Sequence, residues 1–377
     1  MNPKISAIPL IQLASGDQLS LQVYQFQGSQ PGKKAYIQSN LHGAEISGNA
    51  VIQQLIEFLV SLDGSKLCGE ICLVPVCNPI STSIRSHHFS SGRYNIYDGK
   101  DWNRIFWDYE KTDADIVAFA QSHLDSNPAE IQQKYRQNII DQFNTILSDI
   151  NSPTGLPYSE VYRYHLQSLC LDADYILDLH SSTNQAIDYL YCFHARQESA
   201  KAFLLDRGIL MNDYDGDAFD EAFLKPWLAL EDAFADFGKL IQFDIESWTL
   251  ELGSGMIMNP RSVEKGVRGI KNYLAIKGML NLPDYPLPET ENHEVLFTPK
   301  SQLKRYYAPL GGMIQSRTPL GSKIKKGEKI YQILSFNKSG KMPKVLDVFA
   351  DSDGFIFDLS TNHSVNQYDY VLGVMSQ

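Results

Sequence analysis

A histidine and a glutamate stand three residues apart, directly after an apolar run of the chain. They are His42 and Glu45 in the stretch NLHGAEISGN, residues 40–49, and only small residues separate them. Catalytic zinc sites take three protein ligands, often two histidines and a carboxylate, and keep a fourth position for water. The same spacing also fits a plain helix start capped by Ser47 or Asn49. The stretch alone leaves both interpretations open.

A third metal ligand should come from the end of another strand, because sites in open α/β sheets gather at the carboxyl ends of strands. His180 follows the apolar segment 173–179 in this way. The alternative is a buried histidine that is hydrogen-bonded in the core. Asp178 lies on the same face of the strand as His180, so it is a candidate to orient that ligand or a purely structural carboxylate. His87 and His88, adjacent in a polar loop, are more typical of solvated histidines.

A glutamate near the metal is the usual general base of a zinc hydrolase, and Glu251 is the candidate. It lies in the apolar stretch WTLELG, residues 248–253, where a carboxylate is costly to desolvate unless it has a partner or a function. Glu246 is a rival in the same predicted strand. Alternation places the two on opposite faces, so at most one of them points into a site.

The loop that ends in DWNR, residues 101–104, carries groups suited to binding a carboxylate. The guanidinium fork of Arg104 matches two carboxylate oxygens, and the amide of Asn103 adds a donor. Arg93, upstream on the same loop, could polarise a scissile carbonyl and stabilise the oxyanion. Arginine and asparagine in a long loop are otherwise ordinary surface residues.

These side chains need a sheet to bring them together, and the hydrophobic pattern predicts one. Strands are predicted at 34–38, 69–76, 173–179, 187–193 and within 240–252; helices are predicted at 47–62, through most of 113–167, and at 199–210, 219–237 and 263–279. Alternating strands and helices favour a mixed, mainly parallel α/β sheet with helices on both faces. A proline-spaced linker at 282–288 marks a boundary, and the short, glycine-punctuated strands beyond it indicate an all-β part.

Composition excludes several function classes. With 44 acidic and 33 basic residues the net charge is −11, and a negative field repels nucleic-acid backbones. The five cysteines are odd in number and form no C-x-x-C pair, so they are predicted to be reduced, buried thiols. Without a signal-like start or an apolar run of about 18 residues, the chain is expected to be a soluble cytoplasmic protein.

Taken together, the motifs resemble the succinylglutamate desuccinylase/aspartoacylase family of the zinc carboxypeptidase clan. The segments that carry the resemblance are, in family order, HGAE at 42–45, NP at 78–79, RY at 93–94 leading to DWNRIF at 101–106, DLHS at 178–181 and ELG at 251–253. The resemblance extends from about residue 34 to the end of the chain. It implies a zinc-carboxypeptidase-like α/β/α sandwich with a mixed, mostly parallel sheet.

The same resemblance implies domain limits and residue roles. The catalytic domain would span residues 1–288 with a helical insertion at about 110–167, and a small all-β capping domain would span 289–377. The implied roles are zinc binding, one ion per chain, by His42, Glu45 and His180; general base and acid chemistry by Glu251; carbonyl polarisation by Arg93; and binding of a substrate carboxylate by Asn103 and Arg104.

The chain also departs from the family pattern. Trp102 replaces a leucine, residues 106–108 read FWD where Phe-Pro-Gly is common, and Arg93 stands farther from Asn103 than in aspartoacylase-like sequences. The helical insertion is of the kind that decides which substrate fits, so substrate identity does not transfer. Residues 308–330 also resemble a biotinyl/lipoyl-type barrel, but Lys338 and Lys341 lack the expected Met-Lys-Met setting, and a capping domain that narrows access to the zinc is the simpler interpretation.

The expected function is hydrolysis of an amide bond in a small N-acyl amino acid or a related carboxylate. Within enzymes, the alternative is a zinc carboxypeptidase that acts on short peptides. Outside enzymes, the alternative is a non-catalytic protein that uses the same fold to bind a metabolite. The expected partner is a small molecule with a carboxylate rather than nucleic acid or a membrane, and assembly into a homo-oligomer is left open.

Overall fold

The predicted strands form one large sheet in the computed structural model, which describes residues 1–112, 114–193, 195–212 and 217–376. Two limits of the sequence predictions, Asp113 and Gln377, lie outside the described residues. Up to residue 300 the strands are β1 (Lys4–Gln12), β2 (Gln18–Gln27), β3 (Gln30–Ser39), β4 (Cys68–Val74), β5 (Tyr175–Ser182), β6 (Gln185–Ala186), β7 (Asp188–Phe193), β8 (Arg207–Met211), β9 (Glu246–Ser254) and β10 (Leu296–Pro299).

The order of strands across the large sheet is β1-β2-β4-β3-β5-β9-β7-β8-β10. The five pairs β4–β3, β3–β5, β5–β9, β7–β8 and β8–β10 are parallel. The pairs β1–β2, β2–β4 and β9–β7 are antiparallel. The prediction of a mixed, mostly parallel sheet is therefore confirmed.

Helices cover both faces of this sheet. They are α1 (Ser47–Ser61), α2 (Pro79–Ser83), α3 (Ile116–Ser122), α4 (Pro128–Asn144), α5 (Leu147–Ile150), α6 (Tyr158–Ser168), α7 (Gln197–Ala200), α8 (Phe219–Asp236) and α9 (Pro260–Ile276). Helices α1 and α9 share one hydrophobic cluster with Ile37 and Leu177 of the sheet. Helices α4, α6 and α8 share another with Tyr36 and Ile176. Because neighbouring strand residues point to opposite faces, the two clusters lie on opposite sides of the sheet.

The remaining strands form two antiparallel sheets, which we call the C-terminal module (residues 303–376). They are β11 (Leu303–Tyr307), β12 (Gly312–Arg317), β13 (Lys323–Ile324), β14 (Lys329–Ser335), β15 (Lys344–Phe349), β16 (Gly354–Leu359), β17 (Ser364–Val365) and β18 (Tyr370–Ser376). One sheet has the order β11-β18-β16-β13, with β6 joined to β16, and the other has the order β15-β14-β12-β17. The predicted all-β character of this part is confirmed.

One predicted helix is wrong, and one strand falls beyond the predicted linker. Residues 199–210 form only the end of α7 and a short 3-10 turn before β8. Leu204 adopts a positive φ of 55° there, and pairing of β8 between β7 and β10 outweighs the local helical pattern. Strand β10 follows the linker at 282–288 yet pairs in the large sheet. The division at residue 288 remains a prediction.

Among the described helices, none combines the length and the apolarity needed to cross a membrane.

Candidate functional site

Neighbouring strands of the large sheet bring the predicted groups into one row. In the pairing of β5 with β9, His180 lies opposite Glu251. In the pairing of β9 with β7, Glu251 lies opposite Tyr189. Directly opposite residues share a face of the sheet, so the three side chains stand side by side where β5 ends. The strand-end position predicted for His180 is confirmed.

The turn after β3 brings His42 and Glu45 to the same place. Asn40 has a positive φ of 69°, and its side-chain amide donates to the carbonyl oxygens of His42 at 3.2 Å and Gly43 at 3.0 Å. A Cβ on Gly43 would lie 2.1 Å from the carbonyl oxygen of Ser81. Glycine is required at position 43 because the backbone of α2 approaches the turn closely.

The alternative interpretation of this stretch, a helix start capped by a side chain, is wrong. The N-cap of α1 is Ile46, which makes no side-chain capping hydrogen bond. The two candidate caps are engaged elsewhere. Ser47 donates to the carbonyl oxygen of Ile257 at 3.3 Å, and Asn49 donates to a backbone carbonyl of the segment after β4.

His42, Glu45 and His180 form a cluster whose ligand atoms all lie within 4.8 Å of one another. Glu45 is central, with Oε1 2.9 Å from Nδ1 of His42 and Oε2 2.7 Å from Nδ1 of His180. All three side chains are buried. Two imidazoles and a carboxylate that converge in this way are a group that could hold a metal ion.

Each histidine of the cluster is oriented by a second carboxylate. Nε2 of His42 lies 3.1 Å from Oδ1 of Asp101, and Nε2 of His180 lies 2.9 Å from Oδ2 of Asp178. Histidines that bind zinc usually donate a hydrogen bond from their other ring N–H to a group such as a carboxylate, which fixes the tautomer and the ring orientation. Both Nδ1 atoms thus face the shared point, and the donor set fits a catalytic zinc ion.

Charges within the cluster shift its pKa values strongly. Burial acts to raise the pKa of Glu45, but the charges of His42 and His180 outweigh burial and hold it well below the usual range. Burial acts to lower the pKa of both histidines, but their carboxylate neighbours outweigh it and raise both values. The carboxylates around His42 and His180 therefore stabilise positive charge at the cluster, which a cation site requires.

Glu251 differs from Glu45 in having a free oxygen. Its Oε2 is buried and has no hydrogen-bond partner within the described part of the chain. Burial, with a further contribution from the charge of Glu45, raises the pKa of Glu251 to about 7. A carboxyl group with such a pKa can exchange a proton near neutral pH. Glu246 instead accepts from Tyr273, Trp248 and Lys277. Of the two glutamates, only Glu251 therefore lies beside the cluster.

Asp101 ties the predicted arginine loop to the cluster, a role that the sequence did not reveal. While Oδ1 lies against His42, Oδ2 is 2.9 Å from Nε of Arg93, and Oδ1 also accepts from the backbone N–H of Asn103 at 2.9 Å. Burial acts to raise the pKa of Asp101, yet His42 and Arg93 outweigh it and lower it to about 2. Its presence in the DWNR motif was the available signal.

The neighbouring substrate-binding candidates lie at the start of α8. Oδ1 of Asn103 accepts from the backbone N–H of Phe219 at 2.8 Å, which leaves the amide nitrogen as the donor that Asn103 can offer. Arg104 donates to the carbonyl oxygen of Asn103 at 2.6 Å. Trp102 is fully buried and packs edge-on against Tyr162 of α6, with ring centroids 5.3 Å apart. The tryptophan that replaces the family's leucine at this position therefore packs against an aromatic residue of the helical insertion.

A cavity of about 440 Å³ joins these groups. His42, Glu45, Arg93, Asn103, Arg104, His180 and Glu251 all line it, so the structure brings together every predicted site residue. His87 and His88 are exposed and do not belong to the metal-compatible group found among the described residues. The C-terminal module adds side chains that the sequence did not indicate, among them Arg305, Phe357, Asp358 and Tyr370.

Comparison with known proteins found one matching family model and similar crystal structures. The Succinylglutamate desuccinylase/Aspartoacylase catalytic domain matches residues 31–146. A crystal structure assigned to the same family, from Shewanella amazonensis SB2B, is 28% identical with a TM-score of 0.86, over 99% of this chain and 98% of that chain. Another, from Shewanella frigidimarina NCIMB 400, is 26% identical with a TM-score of 0.89, over 100% and 98%. The predicted resemblance to this family is confirmed.

More distant structures share the fold alone. The product-bound ectoine utilization protein EutE (DoeB) of Ruegeria pomeroyi is 15% identical, with a TM-score of 0.66 over 100% of this chain and 96% of that chain. Comparison with curated proteins gave no match.

Proposed function

We propose that this chain, a relative of the succinylglutamate desuccinylase/aspartoacylase proteins, is a zinc-dependent hydrolase that cleaves the amide bond of a small N-acyl amino acid or a related carboxylate. We assign it the α/β/α sandwich of the zinc carboxypeptidase clan, and zinc would be held by His42, Glu45 and His180. The observation that carries the proposal is the convergence of two Nδ1 atoms on one carboxylate, each histidine being oriented from behind by an aspartate.

Zinc, when bound by these residues, would supply Lewis acidity and would activate a water for attack on the carbonyl. Glu251 then serves as the proton carrier of the reaction. Its unpartnered Oε2 accepts a proton from the attacking water and returns it to the leaving amine. In the metal-free protein burial raises the pKa of Glu251 to about 7, and a group that titrates near neutral pH can act both as a base and as an acid.

Two further contacts would position the substrate. Arg93, fixed at Nε by Asp101, keeps its terminal guanidinium nitrogens available to the carbonyl oxygen as negative charge develops there. The amide nitrogen of Asn103 and the guanidinium of Arg104 would bind the carboxylate of the amino acid. A cavity of about 440 Å³, bounded on one side by the C-terminal module, suits a small acyl amino acid better than a peptide.

The test joins metal analysis to a deacylation screen. The purified protein is assayed for bound metal and for release of amine from N-acetyl, N-formyl and N-succinyl amino acids, with and without a chelator. We expect zinc to be bound, activity to be lost with the chelator, and activity to return when zinc is restored. Cleavage of short peptides in a mass-spectrometric screen would favour the carboxypeptidase, and a metal-free protein that binds a metabolite without turnover would favour the binding protein.

A further inference from the structure

Two consecutive residues of β16, Phe357 and Asp358, both line the cavity. In a regular strand, neighbouring side chains point to opposite faces. The pairing of β16 with β18 shifts its register between Ile356 and Asp358. A β-bulge of this kind re-aims side chains and is common next to active sites. The bulge accounts for the presence of both side chains at one cavity.

Asp358 accepts hydrogen bonds from the C-terminal module, to which it belongs, and from the segment that follows His180. Its Oδ2 accepts from Oγ of Ser182 at 2.6 Å, and its Oδ1 accepts from Nδ2 of Asn184 at 3.1 Å and from the hydroxyl of Tyr370 at 2.6 Å. Ser182 is the last residue of β5, two positions after His180. We infer that Asp358 is a positioning residue that fixes the cavity wall formed by residues 182–184. Its effect on turnover rests on the proposed function.

Backbone pairing also joins this segment to the C-terminal module. Strand β6 pairs with β16, with Ala186 opposite Asp358 and Gln185 opposite Leu359. The backbone N–H of Ile187 donates to the carbonyl oxygen of Phe357 at 3.1 Å. The wall segment therefore lies between a strand that carries a candidate metal ligand and a strand pair shared with the C-terminal module. Its position depends on how that module is docked.

Phe357 contacts a further residue that lines the same cavity. Its ring packs edge-on against Tyr189, with centroids 5.6 Å apart and planes at 89°. Tyr189 lies opposite Glu251 in the large sheet. One bulged strand of the C-terminal module thus contacts the wall after His180 and the tyrosine beside the candidate base, which a simple cover over the cavity would not do.

The chemistry of Asp358 is unusual for a packing contact alone. The side chain is 6% exposed, and burying a carboxylate is costly unless donors satisfy it. Burial raises the pKa of Asp358, and its bonds to Ser182, Tyr370 and Asn184 act in the opposite direction. Because one acceptor serves three donors from two parts of the fold, its removal should loosen the wall more than the rest of the module.

The test compares Asp358→Asn with Asp347→Asn in the full-length protein as purified. Asp347 lies on β15 of the same module and accepts from Gln332 at 2.7 Å without lining the cavity. Amide hydrogen exchange is measured for residues 182–187 and for β14. In Asp358→Asn we expect exchange of 182–187 to be about tenfold faster and KM to rise about tenfold with a smaller change in kcat. In Asp347→Asn, and in β14 of both variants, we expect wild-type exchange.

Wild-type exchange at 182–187 in Asp358→Asn, or equal acceleration throughout the module, would overturn the inference. If Asp358→Asn does not fold, Ser182→Ala removes one of the three bonds from the other side. In Ser182→Ala we expect exchange of residues 182–187 to be faster than in wild type, by a smaller factor than in Asp358→Asn. Wild-type exchange of these residues in Ser182→Ala would count against the role of Asp358. The exchange measurement needs no substrate, so an inactive wild-type protein would refute the proposed function and still leave the positioning role decided.

Discussion

The two sides of the cavity are held in place by different means. On the strand side, His180 and Glu251 belong to neighbouring strands whose backbone pairing fixes both side chains. On the loop side, Arg93, Asn103 and Arg104 belong to a long connection outside the large sheet. That connection is held by separate contacts rather than by continuous strand pairing. They include side-chain contacts, such as Asp101 to Arg93 and Asn103 to Phe219, and single backbone hydrogen bonds, such as the one from the N–H of Ala44 to the carbonyl oxygen of Ser91 at 3.0 Å.

The helical insertion is what stabilises the loop side. Gln167 of α6 bonds both the backbone N–H and the carbonyl oxygen of Trp107 at 2.9 Å, and the ring of Trp107 packs against Phe143 of α4 at 5.2 Å. In addition, the buried ion pair of Lys225 with Asp108 joins the end of the loop to α8 at 2.8 Å. A mutation on the strand side should therefore leave the backbone that carries the site in place, whereas a mutation on the loop side should change both substrate binding and the packing that supports the loop.

The largest effect is expected on the strand side, from Glu251→Gln. The amide cannot carry the proton, so kcat should fall roughly 10²–10⁴-fold while zinc binding is retained, because Glu251 does not belong to the His42–Glu45–His180 group. Steady-state kinetics and metal analysis of the same sample check this. An active variant with a full zinc content would remove Glu251 from the mechanism.

The second comparison sets the two orienting carboxylates against each other. Asp178→Asn and Asp101→Asn each weaken the support of one histidine, and each should lower zinc affinity about 10–100-fold. With saturating zinc, Asp178→Asn should recover most of its activity. Asp101→Asn should remain slow, because Asp101 also holds Arg93.

Zinc affinity is measured by competition with a chelator, and activity by titration with zinc. Equal recovery of both variants would show that Asp101 serves only His42 and that the two sides of the cavity do not differ in this respect.

The same contrast explains what the sequence could and could not predict. Strand periodicity located His180 and Glu251, since an apolar segment with a polar end specifies where a side chain emerges. It also placed Glu246 and Glu251 on different faces, as found. The reason for the small residue at position 43 could not be predicted, because Ser81 approaches Gly43 and no local pattern contains that contact.

The loop side and the C-terminal module depend on contacts between distant residues. Asp101 stands in a recognisable motif, but its double bonding to His42 and Arg93 depends on where the loop folds back. Asp358 follows an apolar stretch like many strand residues, and only the pairing of β16 with β6 brings it to Ser182. For residues 199–210, the helical pattern was local and the strand pairing that overrode it was not.

A third prediction concerns stability in the metal-free protein. The pKa of Glu251 is raised from 4.5 to about 7, so the folded state binds more protons than the unfolded state between these values. The contribution of Glu251 to the free energy of unfolding should therefore fall as pH rises through this range. Glu251→Gln removes that dependence and should be more stable than wild type by on the order of 2 kcal/mol at pH 8.

Chemical denaturation of chelated protein at pH 4 and pH 8 measures this difference, which should nearly vanish at pH 4. A difference that is independent of pH would mean that the carboxyl group of Glu251 titrates normally.

The smallest effect is expected at Asn103, where two variants separate the contribution of this residue to stability from its contribution to substrate binding. Asn103→Ala removes the acceptor for the N–H of Phe219, where α8 begins, and should cost about 1 kcal/mol of stability and raise KM. Asn103→Asp keeps an acceptor and places a negative charge at a helix N-terminus, so stability should be retained, yet the charge should repel a substrate carboxylate and raise KM further. Denaturation and steady-state kinetics of the pair check this. If the aspartate variant binds substrate better than the alanine variant, Asn103 does not contact a negatively charged group of the substrate.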